Sequence, residues 1–271
     1  SSLQQLSSFN SSRMEQLALH LALLLLLISQ GAIAANSVSL HGITDTLSTE
    51  HEKYAKALTT AADAFKEAEA LFADDAFISR RSWTKEAETD SGDVVYGKQT
   101  PHGKMVTVST VLEGSVDTVM KETWTGVASL PDWNPNINYA SIVVSLTDHS
   151  DILTYGNNDV LVVTGRDFVS ARLYRPIPDG GYLMVSRSVE VDSKPENKDK
   201  VRAHLHLGAV RFRPHPENPN KTRCDVVMLV DLKGMLPQLL VNQVVPKIMV
   251  MDTEENVKHF KELSKEERMM M

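Results

Sequence analysis

The chain has 271 residues, the length of one large domain or of one domain with a short extension. Its apolar content of 42% is enough for a substantial core, and its net charge of −7 argues against nucleic acid as a partner. It has one cysteine, Cys224, so an internal disulfide is excluded, and the strand-like run around this residue favours a core position over a reactive one.

The first 35 residues are interpreted as a leader followed by a secretory signal peptide. An apolar run from Leu17 to Ile28 precedes an Ala-x-Ala word at residues 32–34, a pattern typical of signal cleavage and too short for a comfortable membrane span. This predicts a secreted or secretory-pathway protein, in which the sequon at Asn220 would be glycosylated. The segment after Met14 carries Glu15 and no basic residue, so a cytoplasmic location stays the alternative.

Residues 36–48 are predicted to be a polar linker, and residues 49–264 to form one domain. The domain begins with a helix from Thr49 to Phe72, because alanine, leucine and phenylalanine recur there at helical spacing. Two strands are predicted between Gly92 and Leu112. A short helix follows from Ser115 to Trp124, and then a tight helical corner at residues 130–135.

The remainder of the domain is predicted to be rich in strands, with a helix at its end. Short turns between consecutive strands indicate an antiparallel sheet, and hence the α+β class. The closing helix is predicted over residues 235–263, with a kink or break at 242–246 caused by Pro246, and residues 265–271 are predicted to be a frayed tail. The predicted strands are 139–146, 151–156, 167–175, 181–191, 200–213 and 222–232.

Three short motifs carry a family resemblance. They are Trp133–Pro135, Gly165–Arg172 and Asp231–Pro237, and together they resemble the START domain over roughly residues 50–264, in particular its sterol- and carotenoid-binding subgroup. The resemblance implies a helix-grip fold, in which a curved antiparallel sheet wraps a long C-terminal helix and encloses an apolar tunnel. It also implies a non-enzymatic carrier that binds one terpenoid lipid, a carotenoid or a sterol, without a further cofactor.

The resemblance also implies which residues contact the lipid. Arg172 matches a buried arginine that marks the polar end of the tunnel, and Asn134 matches a wall position. Gly156 stands where the family has the acidic partner of this arginine, so Asp159 is proposed as the substitute. Leucines are expected at further wall positions, although ordinary core is the alternative for the first two of them: Leu130, Leu183 and Leu240.

Other interpretations are weaker. His204 and His206 lie on one face of a predicted strand, but no third ligand has suitable spacing, so no metal site is predicted. The loop from Gly156 to Gly165 is about four residues shorter than the family's lid loop. This shortening motivates the alternative of an interaction protein that no longer binds lipid. For a carrier, the expected partners are an apolar small molecule and, during loading, a membrane surface.

Overall fold

The structure is a computed structural model, and it describes residues 36–196 and 200–270, apart from the side chains of residues 267, 268 and 270. The predicted signal peptide at residues 14–35 lies outside the described residues. Within the described residues, no helix is both long enough and apolar enough to cross a membrane.

The described chain begins with a hairpin, where the sequence predicted a polar linker. Strands β1 (Ser37–Leu40) and β2 (Ile43–Thr46) pair antiparallel. The hairpin is fixed to the domain by Arg175, whose side chain is completely buried and pairs with Asp45. Its Nε also donates to the carbonyl of Leu40 at 3.2 Å. A buried guanidinium needs such partners, so a segment that looked like a linker is part of the fold.

A large sheet follows, and its strands pair in the order β3-β4-β5-β12-β11-β9-β8-β7-β6, with neighbours antiparallel. The short β10 adds a parallel pairing to β8. The predicted strands are therefore confirmed as antiparallel, and β3 is one that the sequence did not predict. Their bounds are β3 Thr84–Glu88, β4 Val94–Thr100, β5 Gly103–Glu113, β6 Ile137–Thr147, β7 Ser150–Asn157, β8 Arg166–Ile177, β9 Gly181–Ser188, β10 Val201–Arg202, β11 His204–His215 and β12 Asn218–Asp231.

Helices cover the two faces of this sheet. A 3-10 helix (Thr49–Tyr54) leads into α1 (Ala55–Ala73), which packs against β8 and β9 on the outer face. The short helices α2 (Asp75–Ile78), α3 (Val116–Thr125) and α4 (Leu130–Trp133) follow. The last helix, α5 (Gln238–Met270), lies across the inner face and packs against β3, β4 and β5.

Strand alternation sends side chains to the two faces of the sheet. In β8, Val169, Ala171 and Leu173 belong to the outer core under α1, whereas Phe168 belongs to the inner core under α5. Arg172 therefore points to the inner side, because residues two apart in a strand share a face. This arrangement confirms the predicted α+β architecture, a large antiparallel sheet with a C-terminal helix; the sheet does not close on itself.

Helix α5 continues through Pro246, where the sequence predicted a kink or break; no break occurs. A proline in a helix interior removes one hydrogen bond and crowds the preceding turn. Here the neighbouring side chains Val244, Val245 and Met249 are buried in the inner core, and this packing holds the helix together on both sides of the proline. The helix also includes residues 265–270, which the sequence assigned to a frayed tail.

Candidate functional site

An internal cavity of about 170 Å³ lies between the inner face of the sheet and the helices α3, α4 and α5. Most of its wall is apolar. The sheet contributes Leu153, Arg172 and Met184, and α5 contributes Asn256 and Phe260. The remaining lining residues come from α3, α4 and the turn between them: Glu122, Thr123, Gly126, Val127, Leu130 and Trp133.

Arg172 is buried beside this cavity, as the resemblance implied, and its partner is Asp151. Asp151 lies directly opposite Arg172 in the pairing of β7 with β8. Arg172 Nε donates to Asp151 Oδ1 at 3.0 Å, and Nη2 donates to Oδ2 at 2.6 Å, a bidentate geometry. The guanidinium also stacks on the Trp124 ring, 4.2 Å from its centroid, and donates to the carbonyls of Thr123 and Trp124.

Asp159 is therefore not the partner of Arg172, contrary to the sequence prediction. It is exposed, and its Oδ1 accepts a hydrogen bond from the Gly165 amide at 2.7 Å, which shapes the loop. The glycine at position 156 is required by its surroundings, because a Cβ at this position would lie 2.3 Å from the Tyr139 ring. The acidic group cannot occupy position 156 without displacing Tyr139, and this chain has its acidic group five residues earlier.

The structure brings some of the predicted wall residues together and separates others. Leu130 lines the same cavity as Arg172. Leu183 lies on the outer face, in the core under α1, so the alternative of ordinary core holds for it; its neighbour Met184 lines the cavity instead. Leu240 is partly buried against the inner core near the start of α5. Asn134 is buried at the end of α4 and contacts α5.

Contacts between α5 and the α3–α4 region close one side of the cavity. His259 hydrogen-bonds to Glu122 at 3.0 Å, and its ring stacks on Trp133 with centroids 4.0 Å apart. Two helical turns away, Asp252 Oδ1 accepts from the side-chain amides of Asn134 at 3.4 Å and Asn136 at 3.3 Å. Burial raises the pKa of Asp252 to about 6, and these two amides oppose the rise only in part.

The loop at residues 158–165 lies near the start of α5, and Arg166 fixes it there. Val160 and Val163 form an isolated bridge and pack into the inner core. Arg166 is buried and donates to the carbonyls of Thr164, of Leu232 at 3.0 Å and of Lys233 at 3.3 Å. A single side chain therefore joins the loop to the segment that leads into α5, and burial lowers its pKa.

A third histidine, His102, lies beside the pair of His204 and His206, and the sequence spacing did not indicate it. The rings of His204 and His206 are 4.5 Å apart, and His102 stacks on His206 at 4.8 Å. Among the described residues, no group of three potential ligands is arranged to hold a metal ion. Burial lowers the pKa of both His204 and His206. Cys224 is buried, and burial raises its pKa, which fits the predicted core position.

Sequence reasoning missed Asp151 and Asp252. Asp151 could have been found from the register, because it is the one acidic residue of β7, opposite the predicted strand of Arg172. Asp252 follows a run of apolar residues in α5, where a carboxylate at the sheet-facing side is unusual. Neither signal specifies a partner without the strand register and the position of α5.

Comparison with known proteins decides the family. The family model described as START domain matches residues 63–266, which is most of the chain. The chain belongs to the START family. The inner cavity, Arg172 and α5 as far as residue 266 lie within the matched range, whereas the N-terminal hairpin lies before it.

Several proteins are similar to this START chain. The Caenorhabditis elegans protein named steroidogenic acute regulatory-like protein 1 is 53% identical over 245 residues, which cover 89% of this chain and 94% of that protein. The human mitochondrial steroidogenic acute regulatory protein is 26% identical over 179 residues, which cover 64% and 61% of the two chains. The structure of human StAR-related lipid transfer protein 5 matches with a TM-score of 0.63 at 23% identity, over 74% of this chain and 98% of that one; this likeness shows the fold.

The assignment of the Arg172 partner can be tested by comparing two aspartates. Asp151→Ala should lower the free energy of unfolding by about 3–5 kcal/mol, because it leaves a buried guanidinium without its carboxylate. Asp159→Ala, the matched control, should cost about 1 kcal/mol or less, since it removes one hydrogen bond in an exposed loop. Urea denaturation measures both changes. A larger loss for Asp159→Ala than for Asp151→Ala would restore Asp159 as the partner.

Proposed function

We propose that the protein is a non-enzymatic carrier that binds one apolar lipid between its sheet and α5. The observation that carries the proposal is the inner cavity, whose wall is apolar except for a few polar side chains, the composition that small-molecule sites share. Membership of the START family supports it, as does the similarity to proteins named for steroidogenic regulation and lipid transfer.

The cavity has to enlarge for the lipid to enter. Its volume of about 170 Å³ is below the roughly 300–1,000 Å³ of typical ligand pockets. The element free to move without breaking the sheet is α5, together with the loop at 158–165. Affinity would come mainly from buried apolar area, at about 25 cal/mol per Å².

Within this function, we propose a terpenoid lipid, either a sterol or a carotenoid. A rigid, largely apolar body suits a wall built from Val127, Leu130, Leu153 and Phe260, and Met184 adds an adaptable side chain. Arg172, Asn134 and Leu240 remain candidate lipid contacts along the inner side. Leu183 and Asp159 are no longer proposed, because neither lies on the cavity.

Lipid extraction tests the proposed function. Protein purified from its native source or from a lipid-fed host should yield one equivalent of lipid by mass spectrometry. A structured visible absorption band would identify a carotenoid, and a colourless complex with one sterol would identify a sterol carrier. The Leu130→Trp variant fills the cavity and should lose most of this lipid while keeping its urea midpoint. Equal lipid content in both proteins would place the binding site elsewhere.

A second function is favoured by the small volume of the cavity. A START fold whose interior is nearly filled could act as an interaction protein that binds no lipid. The same extraction separates the two functions, because the absence of stoichiometric lipid from natively purified protein would support the interaction protein.

We propose further that lipid is loaded at a membrane surface, through the loop and the start of α5. Leu161 and Val162 are 63% and 80% exposed at the tip of the loop, and Met235 and Leu239 are exposed across the Arg166 contact. Exposed apolar side chains on a protein surface are suited to insertion among lipids. The negative net charge favours neutral over anionic surfaces.

The membrane proposal predicts a change in rate without a change in affinity. Val162→Glu should slow sterol uptake from phosphatidylcholine vesicles about tenfold and leave equilibrium binding unchanged, because the side chain lies outside the cavity. Val111→Glu is the matched control, since Val111 is an exposed valine on β5, away from the loop. Stopped-flow transfer of a fluorescent sterol measures the rate; equal slowing by both variants would argue against a specific contact.

We also propose that the carrier enters the secretory pathway, on the strength of the signal-like residues 14–35. The sequon is compatible with this location, because Asn220 is exposed. Expression of the full chain in insect or worm cells should then give a glycan at Asn220 that an amidase removes. An unmodified Asn220 with residues 14–35 retained would favour the cytoplasmic alternative.

A further inference from the structure

The indole N–H of Trp133, the last residue of α4, has no hydrogen-bond partner. Its Nε1 is buried and makes no hydrogen bond within the described residues. Trp133 also lines the inner cavity. Buried tryptophan N–H groups usually have an acceptor, because an unpaired buried donor costs free energy. A donor without a partner on a cavity wall therefore indicates that its acceptor enters from the cavity, as a ligand or as water.

A series of side-chain contacts holds the Trp133 ring in one orientation. The ring lies parallel to the His259 imidazole, at an interplanar angle of 9° and a centroid distance of 4.0 Å. His259 is itself fixed by its hydrogen bond to Glu122 on α3 and by an edge contact with the Phe260 ring. Because contacts within the protein already fix the indole, a ligand does not have to order it on binding, which favours affinity.

The other polar side chains of the cavity wall are already engaged. Arg172 uses four of the five N–H groups of its guanidinium, on both oxygens of Asp151 and on two backbone carbonyls of α3. The Thr123 hydroxyl and the Asn256 amide each donate to a backbone carbonyl of their own helix, at 2.8 Å and 2.7 Å. Among the residues that line the cavity, all of which are described, only Trp133 has a buried side-chain polar atom that lacks a hydrogen bond.

We propose that Trp133 Nε1 donates a hydrogen bond to an oxygen atom of the carried lipid, and that this bond selects an oxygenated lipid. An indole N–H donates and does not accept, so the lipid oxygen has to be an acceptor, as in an alcohol or a ketone. The inference rests on the proposed carrier function and narrows the ligand to an oxygenated terpenoid. Sterols and oxygenated carotenoids meet this requirement, whereas hydrocarbon carotenoids do not.

The proposed bond can be observed by NMR in the wild-type protein. The chain has three tryptophans, Trp83, Trp124 and Trp133, so a ¹⁵N-labelled sample gives three indole N–H signals. The protein is loaded from phosphatidylcholine vesicles with cholestanone, whose oxygen only accepts, or with cholestane, the same skeleton without oxygen. Cholestanone should move the Trp133 indole proton downfield, and cholestane should not. A shift of the same size with both probes would leave packing or water as its cause and overturn the inference.

Competition between probes measures the same bond as selectivity. The wild-type protein should bind both cholestanol and cholestanone in preference to cholestane. Trp133→Phe should reduce both preferences about fivefold and leave cholestane binding unchanged, because it removes one hydrogen bond and keeps an aromatic ring against His259. All proteins are given vesicles of the same composition, so differences in how the probes partition into the bilayer cancel.

Trp83→Phe is the matched control. The Trp83 indole packs against the Phe77 ring in the outer core, away from the cavity, so its replacement should leave both preferences intact. Circular dichroism checks the folding of each variant. Trp83→Phe and Trp124→Phe also assign two of the three indole signals, so the NMR test holds even if Trp133→Phe does not fold.

The outcomes separate this inference from the carrier function. Equal affinity of the wild-type protein for all three probes would overturn the oxygen site and leave the carrier function standing. Discrimination against cholestanone as strong as that against cholestane would mean that the oxygen has to donate, which also overturns the inference. A preference that survives Trp133→Phe and disappears in Asp151→Leu/Arg172→Met would assign the oxygen to Arg172 instead. Binding of no probe, together with no lipid in the native extract, would overturn the carrier function and the oxygen site with it.

Discussion

The packing of α5 on the inner face of the sheet is the interaction on which the rest of this structure depends. The inner side chains of β4, β5 and β12 are apolar, and Val244, Val245 and Met249 cover them. Without α5 this face would be exposed to water, and the cavity would be open on the side that Asn256 and Phe260 now cover. The same burial keeps the helix continuous through Pro246, a residue that disfavours a helix interior.

The polar groups on the inner side of the sheet have two different roles. The pair of Asp151 and Arg172 is saturated by its own contacts and ties β7 and β8 to the end of α3. Asp252 and the Asn134–Asn136 corner are loosely bonded, and they connect α5 to the segment between α4 and β6. In the proposed carrier, the tightly bonded pair of Asp151 and Arg172 would stay in place while α5 separates from the loosely bonded corner to admit a lipid.

Much of the fold followed from the sequence, because alternation and turn residues marked the strands, and three short motifs identified the family. The hairpin at residues 37–46 was missed because its stability comes from Asp45 meeting Arg175, some 130 positions later. Leu183 was predicted to lie on the wrong face of the sheet. A family resemblance assigns a role to an aligned position, and an alignment that is wrong by one residue moves that role to the other face of the strand. The partner of Arg172 depended on the register between β7 and β8, which loop length alone does not determine.

The contacts of Arg166 have a consequence for the order of events during lipid exchange. Its guanidinium donates at once to the loop and to the two residues that precede the turn into α5. In the proposed carrier, neither element can move away without breaking bonds shared with the other, so the loop and the helix would open as one cooperative unit. Uptake and release then pass through the same open state, and their rates rise and fall together when conditions change the population of that state.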